Sequence, residues 1–348
     1  MYTPRFTITP KITQDIEKIG VVFGYFRAVQ LPENYRRELV SKVAVETVHA
    51  STAIEGNTLT QKQVGEVLSG IPVTAQEKEI KEVENYNKAL VSIEKFGRQK
   101  GFKVGEQTVK GIHATLLKDI DNEIAGKYRT RQVYVGDYMP PEHYKVPTLV
   151  QELVSWINNP NPENLSPILL AGIAHYQSVA IHPFEDGNGR ITRLLTTLIL
   201  IQNDYDMVSF FAPESFYNRN RKAYYEALSS ADKYGVRGQP DLTRWLEYFV
   251  SGMLIEAERA KSRIEEMLQK KSTFGRQDYI SDNQRKILKL ATQKGTIKTA
   301  DVLQLTGLSR KGAYNAVEKL VHIRLLESVG VGKGTYYKIT DKGLEYVR

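Results

Sequence analysis

Apolar side chains recur at helical spacing through most of this chain, and that period restricts its fold more than any other feature. Leu39, Val43, Val45, Val48 and Ile54 share one helix face, and Leu149, Leu153 and Ile157 share another. The first 260 residues therefore predict an all-helical domain. Near its end, a long helix over about 241–269 changes from apolar (Trp245, Phe249, Leu254) to strongly charged (256–261), so it is expected to leave the core. The polar stretch 270–282 then reads as a linker, with a boundary near 272. Beyond it the pattern predicts helices over Gln284–Leu290, Thr299–Thr306 and Ser309–Val321. Two strands follow, Glu327–Val331 and Thr335–Ile339, around a Gly332-Lys333-Gly334 turn. Three helices and a hairpin make a winged-helix pattern, so the fold class is mainly α with a small second domain. A chain of 348 residues has the length for both, since single cores stop growing near about 250 to 300 residues.

Composition excludes several classes of function. There is no cysteine, hence no disulfide scaffold and no thiolate metal site, and a reducing compartment suits the chain. The N-terminal 30 residues lack a basic-then-apolar leader, and no run approaches the roughly 18 apolar residues of a membrane helix. A soluble, cytoplasmic protein is the expectation. The net charge of +8 is unevenly placed: Ser281–Arg348 holds 13 basic and 6 acidic side chains, a net of +7. That end is a candidate for an anionic partner.

The chemistry concentrates in Ile181-His182-Pro183-Phe184-Glu185-Asp186-Gly187-Asn188-Gly189-Arg190-Ile191-Thr192-Arg193, which lies between two apolar helical segments at about 165–180 and 191–202. It reads as a loop opening a helix. Glycines on either side of Asn188 permit a tight turn and leave backbone N–H groups uncovered where the next helix begins, the geometry that cradles phosphate. Arg190 and Arg193 lie three residues apart on that first turn, and two planar guanidinium forks suit a polyphosphate. Asp186 supplies a hard oxygen beside them, and magnesium commonly needs only one or two carboxylates plus the nucleotide's own phosphates. His182 is placed to take a proton from an attacking hydroxyl.

These residues match the signature of the Fic family, His-x-Phe-x-(Asp or Glu)-Gly-Asn-Gly-Arg-x-x-Arg, at every specified position. The resemblance implies an all-helical Fic core with a short β-hairpin flap. It also implies roles for these residues: His182 as base, Phe184 as anchor, Asp186 as magnesium ligand, Gly187, Asn188 and Gly189 as anion hole, Arg190 at the inner phosphates and Arg193 at the γ-phosphate. The implied reaction is transfer of AMP from ATP to a Ser, Thr or Tyr hydroxyl of a target protein or of the chain itself. Some relatives move other phosphate-linked groups.

Ser51-Thr52-Ala53-Ile54-Glu55-Gly56-Asn57, at the end of a helix over about 34–56, resembles the inhibitory motif of one Fic class. Glu55 paired with Arg193 would occupy the fork meant for the γ-phosphate, with Ser51 on the same helix face. The same carboxylate could orient water for removal of AMP, which leaves the direction of reaction open. The expected organisation is an N-terminal helical region over 1–100, a Fic catalytic core over 101–271 and a winged-helix domain over 272–348.

Gly126–Arg129 precedes a β-prone run, Val133–Gly136, and then Tyr138-Met139-Pro140-Pro141, which resembles the family's flap; a simple surface hairpin is the alternative. Asn218–Tyr225 resembles the segment bordering the adenine pocket, which makes Asn220, Tyr224 and Tyr225 candidates, with Arg219 and Gln177 beside them; paired tyrosines on a helix also serve as core. His49, His113, His143, His175 and His322 show no metal-ligand spacing and receive no role. In the tail, Ser309 caps a helix carrying Arg310, Lys311, Tyr314 and Asn315, and Lys333 sits in the turn, as in a helix and wing that read DNA. Protein docking or a dimer surface is the other use of such a module. The leading reading is thus an autoinhibited, magnesium-dependent adenylyltransferase. A de-AMPylase and a nucleotide-sensing DNA-binding regulator are the rivals, and a homodimer is compatible with all three.

Overall fold

A computed structural model describes residues 2–29, 31–160, 164–205, 209–230, 233–237, 240–275, 280–330 and 334–347. Proline and hydroxyl residues set several helix starts. In α1 (Pro10–Ala28), Pro10 occupies the first turn and Thr9 accepts from the Ile12 N–H. Next come α2 (Glu33–Ile54), α3 (Gln61–Leu68), α4 (Glu77–Gly97), α5 (Glu106–Leu117), α6 (Val146–Asn158), α7 (Pro167–Ile181) and α8 (Asn188–Gln202). The rest of the helical part is α9 (Pro213–Arg219), α10 (Arg221–Leu228), α11 (Tyr234–Arg237) and α12 (Thr243–Gly275). The chain divides into two compact units, 1–264 and 265–348.

In the first unit α7 is the central post, apolar around its whole circumference and buried from Ile168 to Ala174 without a break. It packs against α6 and α8. Gly172 lets α12 approach closely: the Trp245 indole donates to its carbonyl at 2.8 Å, and a Cβ there would lie 2.9 Å from Phe249. α2 lies against α3, α4 and α9 and ends at Gly56, whose φ of 100° is open mainly to glycine.

The long C-terminal helix of this unit departs from expectation in two ways. It stays in the core, with Ala257, Ala260 and Ile264 each at most 1% exposed, because small and apolar residues keep one stripe continuous through the charged stretch. It also runs to Gly275 instead of ending at 269, since the polar sequence contains no helix breaker before that glycine. The flap is slight: Val135 and Tyr138 exchange both backbone hydrogen bonds (3.0 and 3.1 Å) across Gly136, and no longer ladder forms from the β-prone run.

The second unit contains α13 (Asp282–Lys294), β1 (Thr296–Ile297), α14 (Thr299–Thr306), α15 (Arg310–His322), β2 (Leu326–Val329), β3 (Tyr336–Ile339) and α16 (Asp341–Val347). A capping box between Ser281 and Gln284 starts α13, and Ser309 caps α15. The three strands form an antiparallel sheet in the order β1-β3-β2, with Ile297 opposite Tyr337 and Leu326 opposite Ile339. Ile287, Leu288, Val302, Val317, Leu320 and Leu325 fill its core. β1 and α16 were not legible beforehand, and the turn carrying Lys333 lies outside the described residues. Among the described residues no helix is long and apolar enough to cross a membrane.

Candidate active site

The loop joining α7 to α8 is held at almost every residue. His182 closes α7 in the left-handed region (φ 50°, ψ 62°), a conformation that costs a non-glycine residue about 1–2 kcal/mol and must be secured by its surroundings. Arg129 secures it. Its Nε donates to the His182 carbonyl (2.9 Å), its backbone N–H donates to the Pro183 carbonyl (3.0 Å), and its terminal nitrogens reach the carbonyls of Arg131 and Pro141 behind the flap. One buried guanidinium thus ties the flap to the loop.

Phe184 is fully buried and stacks on His113 at 3.7 Å between ring centroids. The Gly126 N–H donates to Nδ1 of His113 (2.9 Å), so the ring proton is on Nε2, where it donates to the Asp186 carbonyl at 3.0 Å. Burial pushes this histidine down to about 4 and keeps it neutral. The Asn188 side chain holds Phe184 from the other side, accepting from its N–H (2.9 Å) and donating to its carbonyl (2.8 Å). Gly187 follows at φ 77°, and α8 begins. Its first intrahelical bond is Ile191 N–H to Gly187 carbonyl, so the amides before it have no partner inside the helix. The Gly187 N–H donates to Asp186 Oδ1 at 2.6 Å.

Both arginines of the motif are buried and paired with acids. Arg190 meets Asp186 (3.1 Å) and Glu82 of α4 (3.5 Å). Glu82 also accepts from the Asn57 side chain (2.9 Å), two residues beyond Glu55. Burial opposes ionisation of Asp186, but Arg190 and the Gly187 N–H outweigh it and hold the carboxyl below the usual carboxylate range. Arg193, with 1% of its side chain exposed, donates through Nε to Ser51 Oγ (2.7 Å) and through Nη2 to the Ser51 carbonyl (2.9 Å) and Glu55 Oε1 (2.8 Å). Burial works against its charge, and Glu55 more than restores it. Among the described residues Nη1 of Arg193 has no hydrogen-bond partner.

Glu55, His182, Gly189, Arg193, Tyr224 and Tyr225 line one cavity of about 350 Å³, roofed by Val135, Gly136 and Tyr138 of the flap. His182 is pushed down to about 4, first by burial and then by Arg129, with the Val179 carbonyl and Glu55 pulling the other way. A Cβ at Gly189 would sit 2.1 Å from Glu55 Oε1, so a larger residue there would have to displace that carboxylate.

Of the residues expected at the adenine, Tyr224 and Tyr225 line this cavity and the others lie elsewhere. Tyr224 is core: its hydroxyl bonds Nε2 of buried His175 (2.9 Å), whose Nδ1 bonds Thr196 (2.9 Å). Tyr225, 47% exposed, is the tyrosine that faces outward. Asn220 caps α10 by accepting from the Ala223 N–H (3.0 Å), Arg219 is bound to Glu256 of α12, and Gln177 donates to Tyr234 (2.8 Å); none of the three lines the cavity. Sequence reasoning passed over Glu82, Arg129 and His113, and also Arg237. This last buried guanidinium lies 3.9 Å from the Tyr138 ring centroid on the cavity wall. His113 alone left a trace, sitting in register with Val109, Ile112 and Leu116 on the apolar face of α5.

Residues 103–200 match the Fic/DOC family. The chain is 32% identical to a protein adenylyltransferase Fic of Drosophila virilis over 196 residues, 55% of this chain and 38% of that protein. It is 31% identical to a protein adenylyltransferase Fic of Nematostella vectensis over 204 residues, 58% and 46% of the two. The chain therefore spans less than half the length of these relatives. Its fold resembles a crystal structure of a Fic family protein from Desulfovibrio desulfuricans, with 27% identity, a TM-score of 0.78, and coverage of 98% of this chain and 99% of that one. A Fic-1 fragment from C. elegans is similar over 74% of this chain and 73% of its own, at 26% identity and a TM-score of 0.63. The family match falls on α5 to α8, the helices that carry and brace the motif loop, so this part of the chain is a Fic/DOC domain.

Proposed function

We propose that this protein is an autoinhibited adenylyltransferase that moves AMP from ATP to a Ser, Thr or Tyr hydroxyl of a protein, and that Glu55 is its inhibitor. The observation that carries the reading is the 2.8 Å contact between Glu55 and Arg193 in the same cavity as His182. The α-phosphate is to be attacked by the target oxygen: the new O–P bond forms, the bond to the β-phosphate breaks, pyrophosphate leaves, and the hydroxyl proton passes to His182. The ring is neutral at physiological pH, and Nδ1 lies 3.4 Å from the Val179 carbonyl, which favours the tautomer with Nε2 free to accept. Arg190, Arg193 and the first amides of α8 oppose the charge that builds on the leaving phosphates.

Asp186 fits a hard cation. Half of its side chain is exposed, and among the described residues no group of three metal-ligating side chains competes with it. Magnesium bound there would take most of its ligands from phosphate and water and would neutralise phosphate charge. Glu55 blocks by charge as well as space, since a γ-phosphate at Arg193 would meet its carboxylate.

The order of elements in 265–348 supports a winged-helix module, and Arg310, Lys311, Tyr314 and Lys298 around one surface depression support docking of an anionic partner, DNA or protein. The test of the catalytic reading uses magnesium and ATP labelled on the α-phosphate. Labelled protein should accumulate with Glu55→Gly, and should disappear when His182→Ala is added. Equal, negligible labelling of wild type and both variants would discard adenylyl transfer in favour of AMP removal or nucleotide sensing.

A further inference from the structure

Arg237, the last residue of α11, is a buried cation without an acid. It is 5% exposed, and among the described residues it forms no ion pair. Its Nη2 donates to the Leu228 carbonyl at the end of α10, and its Nε has no hydrogen-bond partner. A buried cation is normally paired with a carboxylate, because the loss of its hydration otherwise goes uncompensated. What faces this one is aromatic. The guanidinium carbon lies 3.9 Å from the Tyr138 ring centroid and 5.7 Å from that of Tyr176, and the negative face of a phenol ring attracts a desolvated cation.

Tyr138 is the flap residue that turns inward. It closes the two-bond bridge to Val135, lines the motif cavity beside His182, and donates its hydroxyl to the carbonyl of Ala180, two residues before His182 on α7. The next flap residue, Met139, accepts from the Tyr234 N–H (3.0 Å) at the start of α11. This four-residue helix therefore touches the flap at both ends, by an amide at one and by the guanidinium at the other. Since Tyr176 lies on α7, Arg237 also joins the flap to the central post of the fold. Arg129 does different work, because it holds the flap by the Pro141 carbonyl at its base and not by Tyr138. The tip has little else to anchor it: Tyr134 and Val135 are 69% and 43% exposed.

We propose that Arg237 is a positioning residue, a clamp that presses Tyr138 onto α7 and so keeps the flap over His182 where the acceptor hydroxyl must be aligned. The contact itself stands on the geometry, while its consequence for transfer rests on the adenylyltransferase reading above. Without the cation, the tip would keep the Tyr138 hydroxyl bond and the bridge across Gly136, both of which open more easily than a packed ring under a buried charge. Arg237 also acts on the base directly, since its charge, with that of Arg129, disfavours a second charge on the His182 ring.

Hydrogen exchange of the full chain, followed by mass spectrometry in peptides covering the flap, tests the clamp without any need for catalysis. Arg237→Met keeps the length of the side chain and removes its charge; flap exchange should quicken about tenfold, the size of a desolvated cation–π contact, while peptides of α6 and α8 stay within about twofold of wild type. Arg237→Lys restores a cation over the ring and should recover most of the protection, which a space-filling role would not require. Tyr138→Leu should resemble Arg237→Met, and the two together should add little, so it decides the matter if Arg237→Met fails to fold. Equal flap exchange in wild type and Arg237→Met, faster exchange throughout 1–264, or a lysine variant no better than methionine overturns the assignment. In a Glu55→Gly background, Arg237→Met should also lower self-labelling by ATP labelled on the α-phosphate about tenfold at saturating ATP, and unchanged labelling would overturn the positioning role. If Glu55→Gly itself takes up no label, adenylyl transfer falls and the exchange experiment alone decides the clamp.

Discussion

Replacing Glu55 with alanine should move stability and nucleotide affinity in opposite directions. In the resting protein the Arg193 guanidinium is 1% exposed and keeps three contacts, two to Ser51 and one to Glu55; only the last is charged. Removing one partner of a fully buried ion pair costs about 3–5 kcal/mol, whereas breaking an exposed pair costs about 1 kcal/mol or less. Glu55 lies between these limits, because 29% of its side chain is exposed and water can enter the space it leaves. The expected loss is about 2 kcal/mol. At roughly 2–4 °C per kcal/mol for a unit of this size, the transition of the 1–264 unit should fall by about 4–8 °C. Phosphate is the natural replacement for the missing charge. Magnesium and ATP at about 100 times the dissociation constant should therefore return roughly 2.7 kcal/mol to Glu55→Ala and much less to wild type. Thermal unfolding followed by circular dichroism, with and without nucleotide, measures both effects. An unchanged transition in the variant without ligand, or equal stabilisation of both proteins by ATP, would refute the claim that Glu55 holds the γ-phosphate fork.

The motif loop was readable from sequence because its signal lies in residue types at local spacing. Arg190 and Arg193 share a helix turn, and the glycines around Asn188 announce a turn that uncovers amides. Glu55 was readable across 138 residues only because its own motif is local and its partner's is too. What remained hidden acts over distance through groups that leave no pattern. Arg129 works by donating to carbonyls, which every residue possesses, and Glu82 looks like any acid on the polar side of α4 until Arg190 is brought 3.5 Å away. The two tyrosines of α10 were ambiguous for a geometric reason. Adjacent helical residues point about 100° apart, so only one could face the core, and the one that did was Tyr224, because His175 lies beneath it. In the second unit, β1 is two residues long and exists by pairing with β3, some forty positions away. No local window contains that information.

Gly189→Ala should lower stability by about 1–2 kcal/mol, because its methyl would displace the Glu55 carboxylate; in a double-mutant cycle with Glu55→Ala most of that cost should vanish, and full additivity would mean the two do not meet. His113→Ala should cost about 3 kcal/mol in urea unfolding, from lost stacking on Phe184 and two unpaired backbone groups, and a loss below about 1 kcal/mol would remove His113 as the brace of the loop. The pH dependence follows from the buried histidines. His113, His175 and His182 stay neutral in the native chain down to about 4, 3 and 4, while an unfolded histidine takes up its proton near 6.5. Below about 6.5 only the unfolded state gains these protons, so stability falls as pH falls. Glu214 works in the opposite sense: raised to about 7, it holds a proton in the native state between about 4.5 and 7 that the unfolded chain lacks, which offsets one histidine. Near pH 5.5 the unfolded chain therefore binds about two more protons than the native one, a slope of roughly 2.5 kcal/mol per pH unit. Urea unfolding at pH 7.5, 6.5, 5.5 and 5.0 should show little change over the first interval and a slope approaching this value over the last, and His175→Phe should reduce the latter by about half. A flat profile, or a slope that His175→Phe leaves unchanged, would mean that these rings are not held neutral by burial.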